Sequence, residues 1–331
     1  MTGREETNAK FDGYTNRKLA ELPNIVSDFS ISFGGKTAAT KYRYICYVGE
    51  FLDFVRRTCP DVVIEDGNSY VAVKPSDINR FIEETKFKIV NGEKKPTSSS
   101  IQVCKFSAVK MFFEFLIDEY DLSRNPCDRA RKPVVHDETE VVAMTEDEIR
   151  RVEDHIMMCN ARDFVNRDLC IFKMGCTMGL RVTSITEINV EDIDLDEYRV
   201  RVVEKGNKVR DCYFGTNVKN IICKWMIDRK RILERMGLEG KTDALFVNRF
   251  GGRESSGAIR DMISAATVDL DKHITPHKMR STAATLLYDK TGDIYLVAEV
   301  LGHKNLANTR RYTKISRDHK EAAASVMDVI V

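Results

Sequence analysis

The chain has 331 residues, 43% of them hydrophobic and 31% charged, with a formal net charge of +1. This composition suits a folded globular protein of two ordinary domains and excludes a disordered or fibrous chain. No apolar run approaches the roughly 20 residues of a membrane helix, and Met1-Thr2-Gly3-Arg4-Glu5-Glu6 lacks a signal-peptide core, so a cytoplasmic protein with no membrane partner is expected.

With 52 basic and 51 acidic residues, any nucleic-acid surface must be a local patch and not a global excess. The nine cysteines are scattered and include no Cys-x-x-Cys pair, as in a protein with reduced thiols. His155, Cys159, Cys170 and Cys176 come nearest to a metal set, but their spacing matches no zinc pattern, so no metal is expected.

Residues 1–35 form a polar N-terminal extension that closes at Gly34-Gly35, with a short helix near 16–27. A helix follows from Lys36 to about Thr58, with Ile45, Val48, Leu52 and Val55 on one face, and Pro60 ends it. A second helix starts near Ser76 and presents Ile78, Phe81, Ile82 and Ile89; its end and the next turn carry Lys86, Lys88, Lys94 and Lys95. A third begins at Ser98–Ser100, and its Phe106, Phe112, Phe113 and Phe115 predict packing on more than one side. These elements make a helical domain over 36–128. A linker over 129–144 carries Arg131 and Lys132 and then the acidic run Asp137-Glu138-Thr139-Glu140.

Thr145-Glu146-Asp147-Glu148 is a capping box that opens the second domain, 145–331. An apolar helix over 166–178, interrupted at Gly175, ends at Gly179 and is followed at once by Leu180-Arg181-Val182-Thr183. Next comes a hairpin whose tip, Gly206-Asn207, reads as a two-residue turn. That turn pairs Lys205 with Lys208 and Val203 with Arg210, and puts Arg199, Arg201, Lys205, Lys208 and Arg210 on one face. A helix over 217–235 leaves Arg229-Lys230-Arg231 as a solvated face; a buried extended segment at 244–247 and a helix over 258–268 follow. The fold class is mainly α with a small antiparallel β-sheet: a helical N-terminal domain and a mixed α/β second domain.

The segment 275–312 concentrates chemistry. Thr275 caps a helix with Pro276 at its first position, which sets His277 and Arg280 three residues apart on one face. Leu301-Gly302-His303-Lys304 and Tyr312 follow. A guanidinium matches phosphate oxygens, imidazoles donate hydrogen bonds or move protons, and a phenol can form a covalent intermediate. Singly, a His-x-x-Arg is ordinarily a solvated helix face and a Leu-Gly-His ordinarily a turn.

Together, in this order, they resemble the site of the tyrosine recombinase (integrase) family. The resemblance implies two further catalytic residues upstream, and Thr177-Met178-Gly179-Leu180-Arg181-Val182 and Lys205-Gly206-Asn207-Lys208 supply them as Arg181 and Lys205. It implies that Tyr312 attacks a DNA phosphate to form a 3′-phosphotyrosyl bond, with Arg181 and Arg280 clamping the non-bridging oxygens. Lys205 would protonate the 5′-oxygen, His277 would assist Tyr312, and His303 would bind phosphate. No cofactor, ATP or metal is implied. The helical domain would close on double-stranded DNA, turning Lys86, Lys88, Lys94, Lys95, Arg131, Lys132, Lys208 and Arg210 towards phosphates.

A homo-tetramer on DNA is also implied, with the apolar tail after Tyr312 docking in trans, and the job is expected to be integration or excision of a mobile element. Dimer resolution, nicking and closing, and DNA binding without catalysis are the alternatives. Two positions depart from the family pattern: Ser184 stands where an acidic residue is common, and Ser281 where His is common. What orients Arg181 is therefore open at this stage.

Overall fold

The computed structural model describes residues 3–90, 92–120, 122–134, 141–159, 163–204, 208–303, 305–310 and 312. The chain divides into two compact units, residues 1–139 and 140–331.

In the first unit, α1 (Gly3–Leu19), α2 (Asn24–Ile31), α3 (Ala38–Thr58), α4 (Pro75–Glu84) and α5 (Ser99–Tyr120) surround an aromatic core. The helix expected near 16–27 is two helices, broken at Pro23, which lacks the N–H that a continuous helix needs. The Glu65 carboxylate accepts from the first-turn N–H groups of Asn24 and Ile25 at 3.0 and 3.1 Å, so an anion seats the positive end of α2. Ile25, Val26 and Phe29 of α2 are fully buried, which makes this part of the extension a component of the core. Thr37 caps α3 through Thr40 N, and Phe106, Phe112, Phe113 and Phe115 of α5 are all buried. Phe29, Phe51 and Phe54 meet the α5 and α4 rings at centroid distances of 5.2–5.9 Å.

The stretch read as the end of a second helix and a turn is instead a two-stranded antiparallel ribbon, β1 (Phe87–Val90) and β2 (Glu93–Pro96). The helix stops at Thr85, and the β-favouring run Phe87-Lys88-Ile89-Val90 then pairs back across Gly92, which sits at φ +81°. Ile89 is therefore 78% exposed and not part of a helix face.

The second unit begins with α6 (Glu146–Cys159), started by the expected capping box: Thr145 N donates to Glu148 at 2.7 Å and Glu148 N to Thr145 Oγ1 at 3.2 Å. The helix α7 (Val165–Met178) runs without interruption through Gly175, because the missing side chain admits Met279; a Cβ there would collide with Met279 Cε. Gly179, at φ +60°, ends α7 in the left-handed conformation and leads into α8 (Val182–Glu187). A three-stranded antiparallel sheet follows, made of β3 (Ile193–Asp194), β4 (Arg199–Glu204) and β5 (Lys208–Tyr213) in that order.

The strand register differs by one residue from the two-residue-turn expectation. Glu204 pairs with Lys208, Val202 with Arg210, Val200 with Cys212 and Arg201 with Asp211. The expected register would have set Asp211 beside the buried Val202. The observed one buries Cys212 against Val200 and gives Arg199 and Arg201 the Asp211 carboxylate, at 2.9 and 3.8 Å. Because strand side chains alternate, this one-residue change turns Arg210 away from Arg199 and Arg201 and onto the face of Glu204.

The remaining helices are α9 (Thr216–Met236), α10 (Ser256–Ala266), α11 (Pro276–Thr291), α12 (Ile294–Leu301) and α13 (Ala307–Arg310). Arg229 of α9 is not on a solvated face. Its guanidinium donates to the Ala244 and Thr242 carbonyls at 2.8 Å, and Trp225 Nε1 donates to Leu245 O at 2.8 Å. These bonds hold the buried segment 244–247 in place. Among the described residues, no helix is long and apolar enough to cross a membrane.

Candidate active site

Thr275 accepts from Lys278 N as the cap of α11, with Pro276 in the first turn as the sequence predicts. The helix places Arg280 almost completely inside, at 2% exposure, while His277, one turn earlier, is exposed. The two therefore share a helix but not a solvent-facing surface, and Ser281, Met279, Ala283 and Ala284 are buried around Arg280. The Arg280 guanidinium spans two helix ends, with Nη1 donating to Gly179 O at the close of α7 and Nη2 to Leu301 O at the close of α12. Burial first, and the nearby Arg181 second, push its pKa down from the ordinary arginine range to about 10, which leaves it charged at neutral pH.

Leu301-Gly302-His303 is the C-terminal stop of α12. Gly302 N donates to Glu299 O and His303 N to Ala298 O, at 2.9 and 2.8 Å, with Gly302 left-handed at φ +65°. This double bond pattern satisfies the last carbonyls of the helix and sets the direction of His303. His303 Nδ1 bonds Thr309 Oγ1 at 2.9 Å, and its ring lies 6.3 Å from that of Tyr312 at an interplanar angle of 17°. Tyr312 is 5% exposed and packs with Ala284, Val297 and Leu301. Its backbone N–H bonds Thr309 O at 2.9 Å.

Arg181 precedes α8 and is partly exposed. Its Nη1 donates to Glu204 Oε1 at 2.7 Å, and the same oxygen accepts from Arg210 Nε at 3.2 Å. Arg210 Nη1 reaches Val300 O of α12 at 2.9 Å, which fastens the end of the hairpin to the helix that presents His303. Ser184 Oγ donates to Val203 O at 3.1 Å, bracing α8 against β4. Gly302 faces this cluster: a Cβ there would lie 2.9 Å from Arg210 Nε and 3.1 Å from Glu204 Oε2.

The structure thus brings together Arg181, Arg280, His303 and Tyr312. Lys205 lies outside the described residues, next in the chain to Glu204, and the tail 313–331 is outside them too. Sequence reasoning missed Glu204 entirely. The signal was present in the alternation Val200, Val202, Glu204, which puts a carboxylate on the inward face of β4. Arg210, expected on a DNA-facing surface, is committed inside the site. Three guanidiniums against one carboxylate leave a positive cradle beside a phenol, an arrangement suited to an anionic phosphoryl centre.

The other expected DNA contacts are spread over the first unit and the hairpin. Lys88 and Lys95 stand directly opposite each other in the β1–β2 ribbon. Lys94 lies 4.5 Å from the Phe87 ring, and Lys86 pairs with Glu83 at 2.7 Å. Arg131, Lys132 and Lys208 are exposed. Among the described residues no group of three His, Cys, Asp or Glu side chains could hold a metal ion. Cys170 and Cys176 are core thiols, and His155 faces Asp269 at 3.3 Å.

The family model for the phage integrase family matches residues 143–319, more than half of the chain. The chain belongs to that family, the tyrosine recombinases. Tyrosine recombinase XerC of Anoxybacillus flavithermus is 28% identical over 288 residues, covering 85% of this chain and 89% of the relative. XerC of Vibrio cholerae is 25% identical over 243 residues, or 70% and 72% of the two chains. The fold is shared with the XerH site-specific recombinase in its post-cleavage complex with palindromic difH substrate, at TM-score 0.67 and 18% identity over 88% of this chain and 81% of that one. It is shared too with the Tn1549 transposon integrase bound to transposon right-end DNA, at TM-score 0.64 and 17% identity over 99% and 100% of the two chains.

Proposed function

We propose that this protein is a site-specific DNA recombinase that cleaves and rejoins DNA through a 3′-phosphotyrosyl intermediate on Tyr312. The observation that carries the reading is the stacking of Tyr312 on His303 next to Arg280, whose guanidinium is held by the ends of α7 and α12. In the reaction, Tyr312 Oη forms a bond to phosphorus while its proton passes to His277. The bond from phosphorus to the 5′-oxygen breaks, and that oxygen takes a proton from Lys205. Arg181 and Arg280 neutralise the two non-bridging oxygens, and His303 donates to the phosphate from beside the nucleophile. The phosphotyrosyl bond conserves the energy of the diester, so religation needs no nucleotide.

The helical unit that holds residues 36–128 together with α2 acts as a core DNA-binding domain ahead of the catalytic domain 145–331, joined by the 129–144 linker. The Lys86, Lys88, Lys94 and Lys95 cluster, Arg131, Lys132 and Lys208 are assigned to phosphates of double-stranded DNA, and Arg210 to the site itself. The enzyme is assigned to the cytoplasm, where it works as a homo-tetramer on DNA in integration or excision of a mobile element.

The decisive experiment incubates the protein with a nicked duplex library of randomised sequence and captures detergent-stable covalent complexes for sequencing. An enriched duplex is expected, joined at Tyr312 and absent with Tyr312→Phe. No adduct from the wild type, or an adduct that survives Tyr312→Phe, would sink the reading.

A further inference from the structure

Glu204 is the one carboxylate that reaches Arg181 among the described ion pairs, and it comes from a strand and not from the helix Arg181 opens. We propose that Glu204 is the positioning residue that aims Arg181 at the scissile phosphate, and that Arg210 holds Glu204 in place for this task. The inference rests on the recombinase reading and goes beyond it in naming how the first arginine is oriented.

An arginine side chain has several rotatable bonds, so one left partly exposed must be fixed at its head to present a set geometry. Among the described residues Glu204 does this at one nitrogen: Oε1 accepts from Arg181 Nη1 at 2.7 Å, and the guanidinium's other donors can serve an anion. The carboxylate is itself restrained. It is 13% exposed, the same oxygen accepts from Arg210 Nε, and Arg210 Nη1 is tied to Val300 O. Gly302 lets both side chains approach the turn that presents His303, since a Cβ there would lie 3.1 Å from Glu204 Oε2. One negative charge also offsets the mutual repulsion of Arg181, Arg210 and Arg280, which all act on the same small volume. Ser184 supplies no charge. Its hydroxyl bonds Val203 O, one residue before Glu204, and so fixes the strand that carries the acid.

The test measures single-turnover adduct formation on the duplex most enriched in the covalent capture, at saturating protein. Glu204→Gln keeps the shape and removes the charge, and should slow adduct formation by roughly 100-fold while changing DNA affinity by less than about threefold. Glu204→Asp, which retains the charge one methylene short, should fall between. Adding Ser184→Glu to Glu204→Gln places a carboxylate one turn after Arg181 and should recover most of the rate, which a purely structural role for Glu204 would not allow. A second readout needs no DNA: phenylglyoxal modification of Arg181, mapped by mass spectrometry, should be faster in Glu204→Gln than in the wild type. A Glu204→Gln rate equal to wild type, a rate loss that follows DNA affinity, or unchanged Arg181 reactivity would each overturn the proposal. If the wild type itself gives no adduct, the recombinase reading fails, and the phenylglyoxal arm still reports whether Glu204 holds Arg181.

Discussion

Arg280→Met separates what this side chain does for the fold from what it does for the chemistry. Keeping a guanidinium charged at 2% exposure is unfavourable: the fall from the ordinary arginine range to about 10 corresponds to on the order of 3 kcal/mol against the charged native form. Methionine fills a similar volume and removes that cost. It also strips the Gly179 and Leu301 carbonyls of their donor, at about 1–3 kcal/mol each. The two effects largely offset, so the variant should lose no more than about 3 kcal/mol and remain folded. Adduct formation should fall at least about 100-fold, because a fixed cation at the phosphate is gone. Urea unfolding of the full chain at unchanged slope gives the first quantity, and single-turnover cleavage of the captured duplex gives the second. A stability loss above about 5 kcal/mol would show that Arg280 is a structural keystone first. A nearly normal cleavage rate would refute its role in the chemistry.

Two further outcomes follow from features away from that arginine. Lys88 and Lys95 stand opposite each other across the ribbon, with the Glu93 carboxylate 3.4 Å from Lys95; replacing both with Gln should lower the slope of log affinity against log salt by about 2 for duplex DNA, and an unchanged slope would remove the ribbon from the interface. At Glu148, burial alone would raise the pKa, but the Lys272 ammonium and the Thr145 N–H outweigh it and hold the carboxyl below the ordinary glutamate range. A depressed folded-state value contributes stability above the unfolded value that disappears as pH falls through the folded one. Glu148→Gln should thus be less stable than wild type by about 1 kcal/mol near neutrality, with the gap closing in acid; a gap independent of pH in denaturant titrations would contradict the assignment.

Elements governed by local chemistry were legible in the sequence. Thr145 and Thr275 cap helices through their own side chains, and Gly179 ends a helix where left-handed backbone is needed. Four catalytic candidates could be grouped because the motifs that carry them are contiguous. Features decided by packing between distant segments were not legible. The register of β4 and β5 follows from which residues the core accepts opposite Val200 and Val202, and a one-residue error there reversed the side of the sheet given to Arg210. Arg229 looked solvated within a charged run, but its partners are carbonyls of residues 242 and 244. Gly175 looked like a helix break because the methionine that fills its place lies about a hundred residues later, on α11.

The pairing of Glu204 with Lys208 has a consequence for the evolution and engineering of this hairpin. Three residues connect the paired positions, and that count sets which way every later side chain of β5 points. Inserting or deleting one residue in the connection would force a choice: bulge the strand, or exchange Cys212 and Arg210 for Asp211 and Val209 on the inner face. Point substitutions at the tip leave that alternation intact, whereas a graft of different length from a relative would dismantle the arginine cluster without altering any of its members. Hairpin length is therefore a heritable part of the active site, as binding on a chimera as the identity of Arg181 or Tyr312.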